Sequence, residues 1–172
     1  MNFLKKLFGK QHNNSLPGND PMPSRHLNFQ FEITPDNGNI LAQQFVDAVQ
    51  KNDNINLTYS IDSIAFVEEF LENFKREGIT VNDFAETIFV AGAYVGEIMV
   101  KNSGGVWIWQ EEAIPPDGIK MMPIIVKLPN GNYADPIAKA FKRFHYGETE
   151  SIQYFYEVFT NNQTWALYST TH

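Results

Sequence analysis

Two glycines four residues apart inside an apolar run, Gly92-Ala93-Tyr94-Val95-Gly96-Glu97, constrain this chain more than any other feature. Each glycine costs a helix about 1 kcal/mol relative to alanine. A spacing of four puts both on one helix face, where the missing side chains let another backbone or ring come close. The run from Ile88 to Gly96 carries no charge and ends at Glu97. A helix is therefore expected from Asn82 or Asp83 to about Lys101, apolar on most sides and packed deep in its domain.

The remaining elements follow from periodicity and punctuation. Leu27 to Thr34 alternates apolar and polar residues, the period of a half-buried strand, and stops at Pro35-Asp36-Asn37-Gly38. Ile40, Leu41, Phe45, Ala48 and Val49 recur at helical spacing up to Asn52-Asp53-Asn54, and Ile55 to Tyr59 reads as a short strand. Ser60 is placed to cap a second helix with Ile61, Ile64, Ala65, Phe70, Leu71 and Phe74 as its inner stripe and Gly78 as its stop. After Gly104-Gly105, strands Val106 to Gln110 and Pro123 to Leu128 are close enough to favour an antiparallel hairpin. Asp135-Pro136 combines a capping side chain with proline at the first helical position, and that helix runs to Gly147. Thr149 opens a last helix with Ile152, Phe155 and Phe159, and Trp165 to Ser169 reads as an edge strand. The expected class is α+β: a small antiparallel sheet with about five helices packed mainly on one face.

Three regions are expected: a short basic amphipathic leader (1–10), a flexible Asn/Pro/Ser-rich linker (11–26) and one globular domain (27–172). The 43% hydrophobic residues, 14 phenylalanines among them, supply a substantial core. Without cysteine there is no disulfide, thiolate nucleophile or cysteine-held metal, and no feature points to an oxidising compartment. No apolar run reaches the roughly 18–20 residues of a membrane span, and the first residues lack a signal-peptide pattern. A cytoplasmic protein is the default expectation. In the leader, Phe3, Leu4, Leu7 and Phe8 share one helical side and Lys5 and Lys6 the other. That pattern suits either a membrane-surface anchor at the inner face of the membrane or an unfolded leader, since ten residues make no stable isolated helix.

The net charge is −7, and between Asp62 and Asp117 acids far outnumber Lys75, Arg76 and Lys101. Such a surface repels phosphate backbones, so no nucleic-acid partner is expected and a protein partner is. Glu97 is the only charge between Ile88 and Val100, which makes it the candidate buried carboxylate. It is either satisfied by Lys101, Tyr94 or backbone amides, or a general acid/base with a raised pKa. Tyr94 and His145 are its only candidate catalytic companions. No histidine pair has ligand spacing, so neither a metal nor another cofactor is expected. Trp107 and Trp109 share a strand face and serve either the core or a stacking surface, with Glu111 and Glu112 as an acidic rim. Gly92 and Gly96 would be the place where a ligand or partner lies against the notch, or a neighbouring element of the same fold. Lys139, Lys142 and Arg143 form a basic stripe, read as a solvated helix face.

Tyr59-Ser60-Ile61-Asp62-Ser63-Ile64, Ala91 to Glu97, Gly104-Gly105-Val106-Trp107 and Asp135-Pro136 occur in that order. The arrangement resembles a group of uncharacterised bacterial proteins with a GAYxGE…GGxW…P pattern, of the domain-of-unknown-function type, over roughly Ile55 to Phe159. The resemblance implies one compact bacterial domain and brings no activity with it. By analogy with small acidic proteins, it suggests an immunity-like or accessory role. Two functional expectations stand beside each other: a non-enzymatic binding protein, and a small hydrolase-type enzyme using Glu97. A peripheral membrane factor tethered by the leader is the third.

Overall fold

The computed structural model describes residues 20–113 and 121–161. The leader, most of the linker, the Pro115-Pro116-Asp117-Gly118 loop and the expected edge strand Trp165 to Ser169 lie outside those residues. Among the described residues are five α-helices, α1 (Gly38–Asp53), α2 (Ser63–Arg76), α3 (Val81–Ser103), α4 (Pro136–Tyr146) and α5 (Ile152–Thr160). A three-stranded antiparallel sheet of β1 (Val106–Trp109), β2 (Ile124–Lys127) and β3 (Tyr133–Ala134) completes the α+β fold.

The centre is α3. Every residue from Phe84 to Met99 is buried, so neighbours must cover it on all sides. α1 packs along one side and α4 along another, while α2 lies against α4 and α5. Thr80 caps the start of α3 by accepting a hydrogen bond from the Asp83 amide at 3.2 Å, and the Asp83 carboxylate accepts the Thr80 hydroxyl at 2.7 Å. Gly104, at φ +70°, ends the helix in the left-handed conformation that glycine alone adopts without strain.

β1 and β2 form the expected hairpin, with Trp107 opposite Val126 and Ile108 opposite Ile125. Alternation divides β2 between two environments. Ile124 and Val126 join the helical core, whereas Ile125 meets Ile108 and Ala113 in a second, smaller cluster with Met121 and Tyr133 alongside. The helices thus occupy one face; on the other, Ile108 and Ile125 are buried with Ala113 while Val106 is exposed.

Asp135 joins these layers. One carboxylate oxygen accepts the Ala138 amide at 2.9 Å and caps α4, and the other accepts the Met122 amide at 2.7 Å ahead of β2. Burial pushes the carboxyl above its ordinary pKa, although both amides pull it down. Asp135→Ala removes both bonds and should cost about 1–2 kcal/mol, the upper range for a helix cap. Urea unfolding should show the shift without a change in m-value.

Several expectations are corrected. Leu27 to Thr34 pairs with no strand among the described residues and bends at Gln30 and Phe31. Its apolar members Leu27, Phe29 and Ile33 are laid on the helical core instead. Ile55 to Tyr59 is likewise unpaired coil, with Leu57 and Tyr59 against the core. α2 begins later than Ser60 suggests, so Ile61 and Ala65 face solvent and Val67 takes an inner position. α5 is capped by Ser151, not Thr149: the Ser151 hydroxyl accepts the Tyr154 amide, and the Glu68 carboxylate accepts the amides of Ile152 and Gln153. The basic stripe is mostly not solvated. Arg143 is 5% exposed and reaches Glu72 at 2.7 Å, Lys139 pairs with Glu150 at 2.5 Å, and only Lys142 is exposed. Carboxylates from neighbouring elements meet that face, which helical spacing alone does not reveal.

Candidate functional site

The glycine notch is filled by the protein itself. A Cβ on Gly92 would fall 2.5 Å from the Ile137 Cα and 3.0 Å from the Pro136 carbonyl oxygen, so α4 crosses α3 there backbone to backbone. A Cβ on Gly96 would fall within the Trp107 ring and 3.0 Å from the Pro136 Cγ. One on Gly38, at the start of α1, would also meet the Trp107 indole. A single side chain from the hairpin therefore occupies space cleared on two helices.

That placement determines what Glu97 does. The Trp107 Nε1–H donates to a Glu97 carboxylate oxygen at 3.1 Å, and Lys101 Nζ stands 3.7 Å from the other oxygen. Glu97 is 5% exposed, and both oxygens have protein partners. Tyr94, its nearest candidate companion in sequence, donates its hydroxyl to the Thr58 carbonyl at 2.5 Å. Burial raises the Tyr94 hydroxyl pKa. Tyr59 packs on the Tyr94 ring and beneath the Lys101 ammonium; burial first, then the Glu97 charge, pushes its pKa up to about 12. Both phenols hold their protons more tightly than a free tyrosine. Asn102 adds a hydrogen bond to the Tyr59 carbonyl at 2.7 Å and closes this end of α3 against the 55–60 segment.

His145 is not brought to this cluster. α4 runs antiparallel to α3: Pro136 abuts Gly96, while Phe144 packs on Phe84. His145 thus lies about 14 Å along α4 from the Glu97 end, with its carbonyl held by Lys75 at 2.9 Å and its ring against Tyr146. Among the described residues no group of three acids or histidines is gathered as a metal site. Glu97→Gln keeps an acceptor for Trp107 and gives up only a half-exposed ion pair. It should therefore cost less than about 1 kcal/mol, whereas Glu97→Ala strands the indole N–H and should cost about 2 kcal/mol. Chemical denaturation monitored by tryptophan emission separates the two.

The hairpin places the other candidates differently. Trp107 is half-buried in the notch, but Trp109 is 41% exposed and Val106 53% exposed. The Trp109 amide donates to the Glu112 carboxylate at 3.0 Å, which closes a 3-10 turn over Gln110–Glu112. Glu111 and Glu112 are both exposed.

A second polar site has no counterpart in the sequence reading. On α3, six residues before Gly92, Glu86 is 3% exposed. Its oxygens accept Arg25 Nη1 at 2.6 Å and Nη2 at 2.5 Å, and the Asn28 amide at 2.9 Å. Burial opposes the charge, but the guanidinium and the amide outweigh it and hold the carboxyl below the usual carboxylate range. Arg25 is completed by the Asn82 carbonyl at 2.7 Å and the His26 carbonyl at 3.0 Å. Residues 20–26, read as linker from their composition, thus carry the best-paired ion pair described. The one available signal was Glu86 itself, an acid at the edge of an apolar helix, which had to find a cation somewhere.

No protein-family model, curated protein or solved structure matches the chain.

Proposed function

We propose that this is a non-enzymatic interaction protein, of immunity-like or accessory kind, that meets a protein partner through the outer end of β1. The observation that carries this reading is Trp109: a large aromatic left 41% exposed on an edge strand beside the acidic Glu111-Glu112 turn. Exposed aromatics rimmed by polar groups are the usual anchors of protein recognition. The acidic rim suits a partner with a basic contact surface. No helix among the described residues is long and apolar enough to cross a membrane, and nothing in this reading needs one. The hydrolase reading finds little support, because Glu97 already spends both oxygens on Trp107 and Lys101, and His145 is remote from it.

The test is affinity capture from lysate of the source cells with the intact chain, Trp109→Ala, and Lys142→Ala as a control on another surface. At least one protein should be held by the intact chain and by the control, and lost with Trp109→Ala. Capture indifferent to Trp109 rules this surface out.

A further inference from the structure

Residues 22–33 cross the helical core without joining a helix or a sheet. Among the described residues they make no backbone–backbone hydrogen bond to the rest of the fold. Their polar contacts to α3 go to Asn82 and Glu86, and Met22, Leu27, Phe29 and Ile33 pack on the helical core. Arg25 forks onto Glu86, the Asn28 amide adds a third donor to the same carboxylate, and Ser24 and Asn82 bond each other reciprocally at 2.9 and 2.8 Å. Phe29 lies on Phe89 with ring centroids 4.7 Å apart. Arg25 and Phe29 stand four residues apart on the strap; Glu86 and Phe89 stand three apart on the helix.

The seat is specific. Glu86 is 3% exposed, and the Arg25 guanidinium fits its carboxylate with two parallel bonds. The strap joins α1 through Thr34 and the Pro35–Asn37 turn, where the Asn37 amide bonds the Thr34 carbonyl and the Asn37 side chain bonds the Glu32 carbonyl. These two bonds tie the strap to that turn, so the turn is the hinge about which the strap would move. From these facts we infer that the face of α3 around Glu86 and Phe89 is a peptide-recognition groove, that residues 22–33 are its built-in ligand, and that it accepts the same strap from a second copy of the chain. Exchange of this kind costs only the hinge and the lost concentration of the tethered end. In the intact protein, tethering favours the strap of the same copy. The groove becomes available to another when that strap is weakened. This inference is independent of the Trp109 surface.

Charge reversal isolates it, with full-length chains throughout. R25E opposes a carboxylate to Glu86, and E86R opposes a guanidinium to Arg25, so neither chain can seat its own strap. Mixed, each supplies the strap the other needs. Each variant alone should run as a monomer, the equimolar mixture as a species of twice the mass by native mass spectrometry, and R25E/E86R as a monomer. If either single variant unfolds, its helical circular dichroism should return on adding the other. A mixture that stays as two separate species, folded or not, overturns the inference. A second arm avoids pairing two variants: a fluorescein-labelled peptide of residues 20–34, added to the R25E chain, should bind at least about tenfold more tightly than the same peptide carrying R25E. Equal binding of both peptides also overturns it.

Discussion

Arg25→Met should lower stability at pH 7 by about 3–5 kcal/mol, the usual consequence of leaving one partner of a buried ion pair behind. For a chain of this size that is roughly 10 °C in melting temperature. Methionine keeps most of the apolar stem, so the loss reports the missing fork and not a cavity. The loss is bounded above by the free energy of peeling the strap away, since a free strap would let water reach Glu86. Arg25→Lys should fall between the two, because an ammonium cannot bond both oxygens in parallel.

The same variant should reverse a pH dependence. In the intact protein the Glu86 and Glu72 carboxyls are both held low, Glu72 chiefly by its hydrogen bond to Arg143. A carboxyl depressed by folding contributes stability above its unfolded pKa, about 4.3, and that contribution is lost as pH falls through the folded value. Without Arg25, burial dominates at Glu86, and the folded protein takes up its proton more readily than the unfolded chain. The gap between Arg25→Met and the intact protein should therefore narrow on going from pH 7 to pH 4. Urea midpoints across that range measure it, and a gap that widens on acidification contradicts the assignment.

Gly92→Ala should cost about 2 kcal/mol despite the better helix propensity of alanine. The propensity gain is about 1 kcal/mol, but the new methyl meets the α4 backbone at Ile137 and Pro136, which cannot rotate aside. Overpacking a close-packed contact typically costs about 1–3 kcal/mol and more where backbone must move. Gly96→Ala differs in kind, because its methyl meets mainly a side chain. The Trp107 ring has to leave, and its bond to Glu97 goes with it. Near-ultraviolet circular dichroism should change strongly for Gly96→Ala and weakly for Gly92→Ala, while both lose stability.

What the sequence made legible is what it encodes locally. The apolar run around Gly92, the Gly104 stop, the hairpin separation and the Asp135-Pro136 start each lie within a few residues, and each is where it was expected. That something approaches Gly92 and Gly96 was legible too; that it is α4 at one and Trp107 at the other depends on residues far along the chain. Leu27 to Thr34 shows the limit of periodicity. Alternation expects one apolar side, but the chain bends at Gln30 and Phe31, so that Leu27, Phe29 and Ile33 pack inward and Phe31 is exposed. Pairing needs a second strand, and nothing in those eight residues says whether one exists. Arg25 was hidden by its neighbours: Pro, Asn and Ser describe the backbone around it, while its partner lies 61 residues away. The stripe of Lys139, Lys142 and Arg143 failed for the same reason, since Glu72 and Glu150 come from other elements.

A helix that is buried on every side also sets the order of events when the chain is made. α3 is synthesised well before α4, which covers the Gly92 face, and before the indole that fills Gly96 can dock with a finished hairpin. At roughly 5–20 residues per second, the interval from Met99 to Tyr146 is a matter of seconds. Through that interval the nascent chain carries a bare hydrophobic rod with only α1, α2 and the strap to shield it. Slowing translation beyond Gly104 should therefore lower soluble yield.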